Sequence, residues 1–222
     1  MFGADLRLLL AGLCLLLAWD ASDLDMRVAL LFGGPQGFAW RDHWLLAGLM
    51  HSGGEAVGTG LVALLIIGVW WPPRFARHLT RGQRVGWLAA TVASALVVAL
   101  LRRTSLTSCP WSLAEFGGAA GHHVSHWGLH LHDGGPGACF PSGHAAAGFA
   151  FLPGWFVLRR SAPAAAGVWL AAALAAGLCF GTVQVIRGAH FPSHVLWSGW
   201  LCWATAVLAH HGADRFARVR ST

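Results

Sequence analysis

Not one of the 222 residues is lysine or tyrosine, and only 11% carry a charge, against about 25% in a soluble globular domain. So thin a supply of charge excludes an ordinary soluble fold, and with lysine absent all fifteen basic residues are arginine. The missing lysine also disposes of a nucleotide loop at HSGGEAVGTG (51–60), which lacks the Gly-Lys-Ser/Thr ending. No internal repeat and no low-complexity linker divides the chain, so residues 1–222 read as a single unit. The net charge of +6 does not point to nucleic acid, because the arginines are strung between apolar segments rather than gathered beside polar ones. What the chain has in plenty is apolar residues, 56%, and 13 tryptophans, the residue of membrane interfaces.

Apolar runs recur between polar breaks and are judged against the roughly 20 residues that cross a bilayer core. Six are found: Leu6 to Trp19, Gly54 to Trp71, Val85 to Leu101, Ser142 to Leu158, Ala164 to Ile186 and Phe191 to Ala209. The first is short, but no small-x-small cleavage site precedes WDASDLD, so it reads as a helix rather than a signal. With the first end inside, ten of the fifteen arginines fall on the cytoplasmic side, at Arg7, in RFARHLTRGQR, at Arg159 and Arg160, and in the tail. Most acids, including Asp20, Asp23, Asp25 and Asp133, fall outside. The expected fold is an all-α polytopic membrane protein, six transmembrane helices in one bundle, both termini cytoplasmic.

That topology gathers LRRTSLTSCPW, CFPSGHAAAGF and QVIRGAHFPSH on the outer face. Convergence of polar segments is what a site requires. In FPSGH, Pro141 and Ser142 suit a helix start and Gly143 lets a ligand approach the backbone. Free amides and the positive end of the helix then make an anion pocket, with His144 on the first turn placed to give a proton. In RGAHFPSH, the spacing of His190 and His194 admits a metal pair, a catalytic pair or two interfacial histidines. Pro192 between them weighs against zinc, as does the need to recruit a third ligand, although the loop 122–133 offers candidates. The histidine-rich loop 122–132 is read as polar or substrate-gating.

PSGH followed by GAHFPS at the head of a last span resembles the type 2 phosphatidic acid phosphatase family over residues 102–200, the catalytic half. That family's three motifs are Lys-x6-Arg-Pro, Pro-Ser-Gly-His and Ser-Arg-x5-His-x3-Asp. The second matches at Pro141, Ser142, Gly143 and His144; in the first, Arg102 takes the lysine place, Cys109 the arginine place and Pro110 the proline place. In the third, His190 aligns with the histidine, His194 with the aspartate and Gln184 with the arginine, while Arg187 follows one turn later. On a continuing helix, residues 184 and 187 share a face. Glu55, with His51 nearby, is a further acid that the second span offers to this region.

The resemblance implies a phosphatase working through a phosphohistidine. His190 is the implied nucleophile, His144 the acid, and His194 the group that fixes the His190 tautomer. Arg102, Arg103, Ser142, Gly143 and Arg187 are the implied phosphate contacts, with no metal and no cofactor. Cys109 and Cys139 share the outer loop, where an oxidising compartment permits a disulfide tying motif one to motif two. The expected setting is a bacterial inner membrane with the site facing the periplasm. The expected partner is a lipid phosphate in the bilayer: phosphatidic acid, undecaprenyl diphosphate, phosphatidylglycerol phosphate or a lipid A phosphate. A lipid phosphotransferase, and a non-catalytic lipid-phosphate-binding or metal-handling protein, are the alternatives. Nothing in the sequence sets an oligomeric state.

Overall fold

The structure, a computed structural model, describes residues 2–128 and 130–219, and within them all side chains but those at 2, 49–52, 55 and 216–219. Helix accounts for 68% of it. The order is α1 (Phe2–Asp20), α2 (Leu24–Leu30), a minimal hairpin of β1 (Gly33–Gly34) and β2 (Gly37–Phe38), and a π-helical stretch Trp44–Ser52 that runs into α3 (Gly53–Trp70). Then come α4 (Arg81–Thr104), α5 (Gly143–Phe149), α6 (Pro153–Leu158), α7 (Pro163–Ile186) and α8 (Pro192–Val219).

Local chemistry sets these boundaries. Thr80 and Gln83 form a reciprocal capping box ahead of α4. Pro163 and Pro192 open α7 and α8, where a missing N–H costs nothing. Gly188, at φ +73°, turns the chain out of α7. Five of the six apolar runs coincide with one helix each, α1, α3, α4, α7 and α8. The fourth does not: Ser142–Leu158 breaks at residues 150–152 into two short helices, because Pro153 cannot continue the ladder of α5 and instead starts α6. Among the described residues two helices, Arg81–Thr104 and Pro163–Ile186, are long and apolar enough, by length and composition, to cross a membrane.

The core lies where α4, α5, α7 and α8 meet, around Val98, Ala146, Phe149, Leu152, Val195 and Cys202. Small residues let the helices close in: a Cβ added at Gly148 of α5 would collide with the backbone of Gly177 in α7. Outward faces carry apolar side chains, with Leu15, Val168 and Leu208 each more than 70% exposed. At one end of the bundle Arg159 donates to both oxygens of Asp5 at 2.8 and 2.7 Å. His211 joins the same carboxylate at 2.9 Å and Arg160 pairs with Asp214 at 3.2 Å, so α1, the α6–α7 turn and α8 are tied together there. The opposite end holds the long connection between α4 and α5 and the α7–α8 turn, and the motif residues lie there.

Candidate active site

The α4–α5 connection is pinned before it reaches the site. Cys109 and Cys139 are disulfide-bonded. Buried Asp133 accepts from the Ser108 amide (2.8 Å), the Ser108 hydroxyl (2.7 Å) and the Gly135 amide (2.9 Å), stapling the two strands of the connection. The Trp111 amide donates to the Gly188 carbonyl at 2.9 Å, tying this connection to the α7–α8 turn.

Ser142 is the N-cap of α5, its hydroxyl accepting from the Ala145 amide at 3.3 Å. Its own amide donates to the His194 carbonyl at 3.0 Å, and the Ser198 hydroxyl lies between the carbonyls of Ser142 (2.9 Å) and His194 (2.8 Å). The start of α5 and the start of α8 are thereby held as one unit. His144, on the first turn of α5, faces His190 with ring centroids 6.2 Å apart. Arg102, in the last turn of α4, donates from Nε to the Ala138 carbonyl at 2.9 Å and lays its guanidinium against Gly143. A Cβ at 143 would come within 3.3 Å of Arg102 Nη1, so the glycine makes room for the cation.

His190 is 2% exposed and His194 1%. Their Nδ1 atoms lie 3.5 Å apart, and Cys139 Sγ is also 3.5 Å from His190 Nδ1. A disulfide sulfur has no proton to give and can only accept at that nitrogen; with its proton on Nδ1, His190 donates toward His194 Nδ1. Burial first, then the His144 and Arg102 charges, push His190 down to about 3. The ring is therefore neutral, with a lone pair on its outer nitrogen, as a nucleophile requires. Cys139, His190 and His194 also bring three ligand-type atoms within 4.8 Å. The sulfur is already spent in the disulfide, so no thiolate exists and two imidazoles are short of a zinc set.

Arg187 caps the end of α7, 7% exposed. It donates from Nε to the Arg41 carbonyl (2.8 Å) and from Nη1 to Gln184 Oε1 (3.2 Å), so residues 184 and 187 share a face. Arg41 lies over the Trp111 ring at 4.7 Å and Arg187 approaches the same ring at 6.0 Å. Arg187 is thus braced from the Arg41 side, whereas Arg102 packs against the start of α5. Arg103 is exposed and shares with Arg102 the mouth of a cavity of about 800 Å³. That cavity runs along α3, α4 and α5 past Gly143, Ala146, Val98 and Thr91. The side chains of His51 and Glu55 lie outside the described residues.

Several residues here went unread in the sequence. Asp25 of α2 accepts from the amide and hydroxyl of Ser193, the first of these at 2.9 Å, and from Trp19 Nε1 at 2.9 Å. Asp20 accepts from His126, Trp127 and Trp197. Within the histidine-rich loop, His126 stacks on Phe140 at 4.0 Å and meets His194 edge-on at 6.3 Å, and His123 packs on Phe191 at 4.6 Å. No spacing rule links positions 20 and 25 to 126 and 193; the only available sign was the excess of acids after the first apolar run.

Two histidines, an arginine and a helix start, drawn from three separate segments, meet at one end of a helical bundle, where their chemistry suits an anion. The chain belongs to the PAP2 superfamily, whose model matches residues 83–218. That span takes in α5 to α7, α8 but for its last residue, and all of α4 beyond its first two residues, and membership places the chain among phosphatase-type enzymes. No curated protein and no solved structure matches it.

Proposed function

We propose that the chain is an integral membrane phosphatase that removes a phosphoryl group from a lipid phosphate at the outer, periplasmic face of a bacterial inner membrane. The observation that carries the reading is the join between the site and the cavity. His144 and His190 stand 6.2 Å apart beside Arg102, and Arg102 also lines a largely apolar channel of about 800 Å³. A phosphate head between the rings leaves its lipid tail in that channel. Six membrane crossings with both termini cytoplasmic put this end outside, and the exposed leucines and valines then face lipid.

The chemistry follows from the groups present. His190 Nε2 attacks phosphorus, forming the N–P bond as the P–O bond to the lipid breaks, and His144 gives its proton to the departing oxygen. Water, deprotonated by His144, then attacks phosphorus, and the N–P bond breaks with the electron pair returning to His190. Arg102, Arg103 and Arg187, the Ser142 hydroxyl and the Gly143 amide offset charge on the non-bridging oxygens. These groups fill each role without a metal, so turnover is expected to survive chelator.

Phosphate release is to be measured from purified phosphatidic acid, undecaprenyl diphosphate, phosphatidylglycerol phosphate and lipid A phosphates. The wild type is expected to hydrolyse at least one, while His190→Ala and His144→Ala fall by about 10³-fold or more. A folded His190→Ala variant with undiminished release overturns the assignment.

A further inference from the structure

The nucleophilic step raises a charge problem that His190 and His194 do not solve by themselves. As the N–P bond forms, the His190 ring becomes cationic, and its Nδ1 partner is a second imidazole with no negative charge to offer. Among the described residues three carboxylates lie near this end: Asp133, buried, Asp25, half-buried, and Asp20, whose side chain is almost fully enclosed. Asp133 is taken up by Ser108 and Gly135. Asp25 is taken up by Trp19 and by the start of α8 at Ser193.

Asp20 is different. Its side chain is 4% exposed, and Oδ2 accepts three N–H groups: His126 Nε2 at 3.2 Å, Trp127 Nε1 at 3.0 Å and Trp197 Nε1 at 2.8 Å. Oδ1 is buried with no hydrogen-bond partner. Among the described residues no arginine pairs with it; its one ion-pair contact is His126. Burial pushes His126 below the ordinary histidine value in spite of Asp20, which favours its neutral form. The three N–H donors offset part of the cost of enclosing this carboxylate without a cation.

Two routes lead from Asp20 to His194. Trp197 lies three residues beyond His194, on the same face of α8. His126 presents its ring to His194 at 6.3 Å, held there by the stack on Phe140, which itself meets His194 at 5.3 Å. By accepting from Nε2–H, Asp20 also sets the His126 tautomer and leaves Nδ1 as an acceptor.

We propose that Asp20, acting through His126, supplies the negative charge that the His190–His194 pair lacks, and is a positioning residue for the nucleophile. It rests on the phosphatase reading above. When Nε2 bonds to phosphorus, the Nδ1 proton of His190 is shared with His194, and the His126–Asp20 pair stabilises the resulting cation. When the N–P bond breaks, the proton returns to His190 and the original charges are restored.

A double-mutant comparison tests it. Asp20→Asn keeps the side chain's shape and removes its charge; it is expected to lower kcat on the order of 10- to 100-fold with KM within about twofold. His194→Asp puts a carboxylate directly against His190, and in that background the loss on adding Asp20→Asn is expected to shrink to less than about threefold. Equal losses in both backgrounds mean that Asp20 merely holds the fold, and no loss in the wild-type background means that it has no role; either overturns the proposal. His190→Ala run alongside separates this from the broader reading, since a phosphatase whose activity ignores His190 fails there first. Binding of orthovanadate, a mimic of the five-coordinate phosphorus, gives a readout independent of turnover. Wild type is expected to bind it about tenfold or more tightly than Asp20→Asn, and no difference overturns the proposal.

Discussion

At the scale of single residues, the fully enclosed His190 has the clearest consequences. Its ring is held neutral down to about 3, mainly by burial, whereas in an unfolded chain a histidine takes its proton near 6.5. The folded value is the depressed one, so the unfolded state binds more protons on the acid side. The associated stability is complete above 6.5 and is lost as pH falls from there toward 3. The midpoint of thermal unfolding in detergent is therefore expected to drop between pH 7 and pH 4, and to drop less in His190→Asn, as differential scanning fluorimetry would show. Gly143 makes a second prediction at this scale. An alanine there sets its methyl within 3.3 Å of Arg102 Nη1, so Gly143→Ala is expected to raise KM about tenfold while leaving unfolding temperature within a few degrees. An unchanged KM in steady-state assays would show that the guanidinium does not need that space.

Among elements, the contact of α5 with α7 places His144. Gly148 meets the backbone of Gly177 with no room for a side chain, so Gly148→Val forces the two helices apart. The expected cost is about 1–3 kcal/mol of stability, together with a fall in kcat, because the displaced helix carries His144, the proposed acid, away from His190. Thermal unfolding and phosphate release on the same preparation check both. This element also shows where sequence reading reaches its limit. The start of α5 was legible in Pro141, Ser142, Gly143 and His144 because capping is chemistry between neighbours in the chain. Its early end was not, since the apolar run continues through residues 150–152 and only Pro153 signals the break. Long helices such as α4 and α7 were legible from length and apolar composition. The service of Asp20 and Asp25 to α8 was not, because their partners stand more than 100 residues away and only the folded bundle makes them neighbours.

For the whole molecule, the two ends of the bundle differ in a way that fixes an expected orientation. One end carries the site beneath the long α4–α5 connection and its disulfide, and a disulfide persists in an oxidising compartment. The other carries the Asp5–Arg159–His211 cluster and Arg74, Arg77, Arg81 and Arg84, a positive excess of the kind expected on a cytoplasmic side. Accessibility tests this directly. In a background with Cys14, Cys179 and Cys202 replaced by serine or alanine, the disulfide pair is left intact and unreactive. Leu131→Cys, exposed in the α4–α5 connection, is expected to react with a membrane-impermeant maleimide on cells whose inner membrane is intact. Ser161→Cys, exposed in the α6–α7 turn at the opposite end, is expected to react only after that membrane is permeabilised. The reverse pattern would invert the bundle and put the site in the cytoplasm. Labelling of both on intact cells would mean that the chain between them does not cross the membrane an odd number of times, and the six-span arrangement would fall with it.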